Sequence, residues 1–198
     1  TAEKYGTDWI HIDVMDGHYV PNITMGPCIV EAARRATELP LDIHLMIERP
    51  EKFLKEFAQV GAYNITIHAE ASPNLFRSLE TIHDLGCRAT VAINPGTPAS
   101  AVRPVLPLVD MVMVMTVNPG YSGQKFIPTT LDKVRQVRSW IDLNNLDVDI
   151  QVDGGIDAET LPLAQAAGAN VYAIASAIYK HPEGIATGLR ILRNLLIA

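Results

Sequence analysis

The chain has 198 residues, 48% hydrophobic and 19% charged, and a formal charge of −6 from 16 Lys plus Arg against 22 Asp plus Glu. That length supports one sizeable core and a single domain spanning residues 1–198. The acidic balance and the lack of a basic stripe with interleaved aromatics argue against a nucleic-acid partner, and no apolar run approaches the roughly 20 residues that cross a bilayer.

A first strand is predicted over 9–16 and a helix over 27–38. Strands at 41–47, 63–70, 87–93 and 110–117 follow, each trailed by a helical pattern, at 50–60, 73–85, 98–108 and 128–144. The series ends with a strand at 149–153, a helix at 158–168, a strand at 170–175 and a helix at 182–197. Pro50, Pro73, Pro98, Pro128 and Pro182 mark helix starts, and Gly61, Gly86 and Gly168 stand where C-terminal caps belong. In the last helix Ile185, Leu189, Leu192 and Leu196 fall on one apolar stripe. Strict β/α alternation argues for a parallel sheet with right-handed crossovers. Seven β/α units are present where a closed barrel has eight, and residues 1–6 resemble the tail of a preceding helix. The expected fold is an α/β, (β/α)8 TIM-type barrel lacking its first strand and most of its first helix. A doubly wound open sheet shares the alternation, but no G-x-G-x-x-G follows the first strand.

Several of these strands place polar, chemistry-bearing residues at alternate positions. Strand side chains alternate between faces, so His11, Asp13 and Met15 share one face while Ile10, Ile12 and Val14 take the other. His44 and Met46 share a face, as do Gln151 and Asp153. Polar groups on a strand covered on both sides are costly unless something binds them. In a barrel the C-terminal strand ends form the catalytic face, so His11, Asp13, His44 and Asp153 are expected to converge on one divalent cation. Imidazole with carboxylate suits Zn²⁺, Fe²⁺, Mn²⁺ or Co²⁺ without choosing among them. His68 ends its strand alone and reads as a satisfied core histidine.

Three small-residue segments follow consecutive strands: Asn118-Pro-Gly-Tyr-Ser-Gly-Gln124, Asp153-Gly-Gly-Ile156 and Ala175-Ser-Ala-Ile178. Backbone N–H groups in such loops approach a phosphate closely, and the late loops are the usual phosphate cradle of this architecture. A Gly-Gly alone is usually just a turn. Met15, Met46 and Met115 either fill the core, as methionine commonly does, or wall the site above the reacting carbons. Cys28 and Cys87 have no ligand-spaced neighbour and are expected to be buried, inert thiols in a reducing compartment.

His11-Ile-Asp-Val-Met-Asp-Gly-His-Tyr-Val-Pro-Asn22 is the longest motif. With Asp42-Ile-His-Leu-Met46, Val117-Asn-Pro-Gly120, Ser122-Gly-Gln124 and Val152-Asp-Gly-Gly-Ile156, it resembles the ribulose-phosphate 3-epimerase family. The resemblance covers essentially the whole chain. It implies a phosphate-binding barrel that interconverts D-ribulose 5-phosphate and D-xylulose 5-phosphate through an enediolate. It also implies one divalent metal ion on His11, Asp13, His44 and Asp153, with Asp13 and Asp153 as the acid–base pair. Substrate and phosphate contacts map onto His44, Gly120, Gly123, Gly154, Gly155, Ala175 and Ser176, and an apolar wall onto Met15, Met46 and Met115. The expected protein is a cytoplasmic homo-oligomer acting on a small sugar phosphate, with no nucleic-acid or membrane partner.

The chain departs from the family pattern in having no first-strand serine, Ala175 where glycine is usual, Ser122 where glycine is common and Gly96 where alanine is common. Ala175 keeps its N–H and serves if its φ is negative. Two other readings remain: a sister epimerase acting on a hexulose 6-phosphate such as allulose 6-phosphate, and a non-catalytic sugar-phosphate-binding barrel fragment. Barrels doing decarboxylation or aldol chemistry need an Asp-x-Lys-x-x-Asp strand end, and Asp13-Val-Met-Asp16 has no lysine.

Overall fold

The computed structural model describes residues 2–197. Its strands are β1 (Ile10–Met15), β2 (Leu41–Met46), β3 (Asn64–His68), β4 (Arg88–Ile93), β5 (Met111–Met115), β6 (Asp149–Asp153) and β7 (Val171–Ala173). They form one seven-stranded sheet in sequence order, and every ladder is parallel. α1 (Pro27–Ala36), α2 (Leu54–Gln59) and α3 (Leu75–Asp84) follow the first three strands; α4 (Leu131–Leu143) and α5 (Thr160–Ala167) follow β5 and β6. The short α6 (Ser176–Tyr179) and the longer α7 (Ile185–Ile197) follow β7.

Alternation decides which residue faces which layer. Ile12, Val14, Ile43, Leu45, Ile65, Ile67, Val112, Val114, Ile150 and Val152 join the core between sheet and helices. Helix residues at three- and four-residue spacing meet them, such as Val134, Val137 and Ile141 on α4 and Leu189 and Leu192 on α7. The residues between those strand positions turn inward. There Gln151 of β6 donates from Nε2 to Asp42 Oδ2 of β2 at 2.8 Å, a bond that forms only because the sheet curls into a nearly closed barrel. Among the described residues no ladder joins β7 to β1. A cavity of about 490 Å³ lies between them, lined by residues that include Trp9, His11, Asp153, Tyr172 and Leu192.

The helix expected over 98–108 is instead two 3-10 stretches, Ala99–Ala101 and Arg103–Leu108. Pro104 and Pro107 have no N–H, and a proline ring inside an α-helix clashes with the preceding turn. The final helix starts at Ile185, later than expected, and α6 forms ahead of it. Gly61, Gly86 and Gly168 all take positive φ just past their helices. Cys87 is buried, but Cys28 is exposed, contrary to expectation. Val30 is the buried residue of α1, which leaves position 28 facing outward. No described helix is long and apolar enough to cross a membrane.

Candidate metal centre and active site

The β1–β2 register pairs Asp13 with His44, and the curl of the sheet brings Asp153 of β6 to the same place. His11, Asp13, His44 and Asp153 each offer one ligand-grade atom, all within 4.8 Å of one another. His44 Nδ1 lies 3.0 Å from Asp13 Oδ1 and 3.5 Å from Asp153 Oδ2. His11 Nε2 lies 3.2 Å from Asp13 Oδ1. The His44 side chain is fully buried, whereas Asp13 keeps 39% of its side-chain surface, so the cluster has one open carboxylate edge.

The cluster suits a divalent cation on its own geometry. His11 Nε2 is buried, aimed at the carboxylates, and makes no hydrogen bond; such an orphan is costly without a partner. Burial disfavours charge on both imidazoles, yet the carboxylates around them raise both pKa values, that of His11 well above its ordinary range. Burial likewise opposes ionisation of Asp13, but His11 and His44 hold its carboxyl far below the usual range. Two imidazolium protons opposite two carboxylates and one divalent ion are equivalent in charge, so metal and protons compete for the same nitrogens.

Each imidazole has its own support. His11 Nδ1 lies 2.7 Å from Asp42 Oδ2, and Asp42 also accepts from Asn64 Nδ2 at 2.6 Å and Gln151 Nε2 at 2.8 Å. Thr90 Oγ1 extends this network by donating to Asn64 Oδ1 at 2.7 Å. Burial opposes ionisation of Asp42, but the His11 charge and these donors keep its pKa lowered. His44 rests against His68, with Nε2 to Nε2 at 2.8 Å. Burial first, and then His44, push His68 down to about 4, so its ring is neutral at pH 7. Sequence reasoning gave Asp42, Asn64 and Glu70 no role and took His68 for a core residue. The signal was Asn64-Ile-Thr-Ile-His68, which alternates polar and apolar on a wholly buried strand, as β1 does.

Loops close over this centre. Asp16 accepts backbone N–H bonds from His18, Tyr19 and Glu48 at 2.8, 2.9 and 2.7 Å, which ties the β1–α1 loop to the end of β2. Asn22 Nδ2 donates to Gly120 O at 3.0 Å and Tyr121 Oη to Pro21 O at 2.8 Å, joining that loop to the one after β5. Met15 and Met46 pack with Val20 and Tyr19 under it. Met115 belongs to a separate cluster with Ala92 and Met113.

The proposed phosphate residues lie at the ends of three adjacent strands: Gly120 and Gly123 after β5, Gly154 and Gly155 after β6, Ala175 and Ser176 after β7. Packing alone accounts for two of these glycines. Gly154 and Gly155 have φ of +114° and +65°; a Cβ on Gly154 would overlap Val117, and one on Gly155 would stand 2.8 Å from Phe126 N. Ala175 has φ −113°, a conformation open to alanine.

Parallel strands feeding helices, with imidazole and carboxylate gathered inside the curl of the sheet, place the chain among the β/α barrels. A solved 3-keto-L-gulonate-6-phosphate decarboxylase from Vibrio cholerae superposes with a TM-score of 0.73 over 99% of this chain and 87% of its own, at 15% identity, a likeness of fold alone. The model of the ribulose-phosphate 3 epimerase family matches residues 1–179. Ribulose-phosphate 3-epimerase of Bacillus subtilis is 51% identical over 179 residues, covering 90% of this chain and 82% of the relative. That of Synechocystis is 47% identical over 184 residues, with 92% and 80% covered. The chain belongs to the ribulose-phosphate 3-epimerase family and is an isomerase.

Proposed function

We propose that the protein is a metal-dependent 3-epimerase interconverting D-ribulose 5-phosphate and D-xylulose 5-phosphate. The observation that carries this reading is the convergence of His11, Asp13, His44 and Asp153 within 4.8 Å, in a chain of this family. Epimerisation beside a ketone removes a proton from one face of the carbon and returns one to the other, through an enediolate. Asp13 and Asp153 arrive from different strands and serve as base and acid, exchanging roles with direction. A divalent ion (Zn²⁺, Fe²⁺, Mn²⁺ or Co²⁺) held by these four side chains supplies Lewis-acid stabilisation of the negative charge that develops on the sugar oxygens. Met15, Met46 and Met115 are buried, with 9%, 1% and 2% exposure. As an apolar wall they offer the intermediate no competing proton.

The backbone after β5, β6 and β7 holds the phosphate, with His44, Gly120, Gly123, Gly154, Gly155, Ala175 and Ser176 as the contacting residues. The negative φ of Ala175 supports its place among them. One (β/α)-barrel domain carries all of these groups. A cytoplasmic setting fits the two free thiols, and exposed Ile23, Met25, Ile29 and Phe53 favour a homo-oligomer.

The test is deuterium wash-in at C3 of ribulose 5-phosphate in D₂O. Exchange should stop on chelation and return with added divalent metal. Full exchange by metal-stripped protein overturns the proposal.

A further inference from the structure

The polar residues of β3 lie outside the ligand cluster, and the function proposed above makes no use of them. His68 and His44 are both fully buried. Their rings stack with centroids 5.0 Å apart and planes 24° apart, and their Nε2 atoms are 2.8 Å apart. Two ring nitrogens at that distance are one donor and one acceptor. Because His44 Nδ1 faces Asp13 and Asp153, a lone pair there for a metal requires the His44 proton to sit on Nε2. His68 Nε2 is then the acceptor, and the His68 proton lies on Nδ1. That nitrogen is buried without a hydrogen bond, and Glu70 Oε2 stands 3.4 Å from it.

Glu70 is itself fixed. It accepts the Asn94 N–H at 2.8 Å and the Thr97 hydroxyl. Lys133 Nζ anchors the same loop through Asn94 O and Pro95 O at 2.9 and 2.6 Å. Tyr19 packs its ring 4.9 Å from that of His68, and Asn94 Nδ2 donates to its hydroxyl at 2.8 Å. A core histidine needs none of this order, and burying its second nitrogen unpaired is a cost.

We infer that His68 and Glu70 are positioning residues: a neutral imidazole backed by a carboxylate, which locks His44 in the one tautomer and orientation that present Nδ1 to the metal. The inference rests on the metal reading above. It assigns the two histidine ligands different supports, a carboxylate for His11 and an imidazole–carboxylate pair for His44.

The experiment is a titration of metal-stripped protein with Co²⁺, read from its d–d absorption. His68→Leu keeps bulk but removes the acceptor, and should weaken Co²⁺ binding by about 10–100-fold and shift the bands. His68→Gln restores an acceptor oxygen and should recover most of that loss, while Glu70→Gln should lose several-fold. Wild-type affinity and spectrum in folded His68→Leu overturn the inference, as does a His68→Gln variant no better than His68→Leu. A wild-type protein that binds no Co²⁺ overturns the metal reading itself, a separate outcome. Imidazole nitrogen NMR of the zinc-loaded wild type needs no variant: the His68 proton belongs on Nδ1, and finding it on Nε2 overturns the scheme.

Discussion

Along β1, β2, β3 and β6 the inward positions hold His11, Asp42, His44, Asn64, His68 and Gln151, joined by Thr90 from β4, whereas along β5 and the end of β4 they include Ala92, Met113 and Met115. Both halves are almost wholly buried, and the layer between sheet and helices behind them is apolar all round. The difference therefore lies in what each half must satisfy. The polar half is tolerable only as a completed network, since each buried donor left alone costs about 1–3 kcal/mol. The apolar half needs only volume. The proposed acid–base pair, Asp13 and Asp153, belongs to the first half.

The sharpest way to break this comparison is to remove charge at the open edge of the polar half. Asp13→Asn and Asp153→Asn should each lower turnover by about 10²–10⁴-fold, the usual worth of a positioned general acid or base. Deuterium wash-in at C3 checks it, and near-normal exchange in either variant would detach that residue from the acid–base pair. Next come isosteric swaps deeper in each half. Asp42→Asn keeps the shape but sets an amide against the donors of His11, Asn64 and Gln151, and should cost about 3 kcal/mol. Met113→Leu conserves volume and should cost less than about 1.5 kcal/mol. Urea midpoints measured side by side test the pair; equal losses would mean that the two halves are not distinct in kind.

Much of this arrangement was legible in the sequence, because alternation on a buried strand is a local property. The strand predicted at 149–153 has those bounds in the structure, and that predicted at 41–47 runs to Met46. The four metal-grade residues could be picked out because each is a polar residue at an alternate position of a predicted buried strand. The supports could not, since they depend on which strand lies beside which. His68 gains a role only through the ladder that sets β3 against β2, and Asp42 only through the one that sets it beside His11. The 98–108 segment failed for a different reason: its apolar spacing was helical, but Pro104 and Pro107 vetoed the hydrogen bonds. Cys28 failed because composition favours burial and α1 turns that position outward.

Metal affinity offers a finer probe of the polar half. The carboxylates raise the pKa values of His11 and His44, so protons hold the ligand nitrogens in metal-free protein below those values. Affinity should fall as pH is lowered, by about tenfold per pH unit for each proton displaced. Calorimetry in buffers of different ionisation enthalpy should record protons released on binding. Binding with no proton release would place the metal away from the imidazoles.

The smallest effect tests the rim where polar and apolar halves meet. Burial works against Glu70 ionisation, but His68, Thr97 and the Asn94 N–H bring its pKa down from 4.5 to about 2. A carboxyl lowered on folding contributes stability that is complete above its unfolded value and disappears as pH falls through its folded value. The stability gap between wild type and Glu70→Gln should therefore be constant above about pH 4.5 and narrow steadily below it. Urea unfolding at intervals from pH 6 to 3 would follow that gap. A gap that stays fixed across this range would mean that Glu70 holds β3 to the β4 loop by shape rather than by charge, and its contact with His68 would then carry no electrostatic weight.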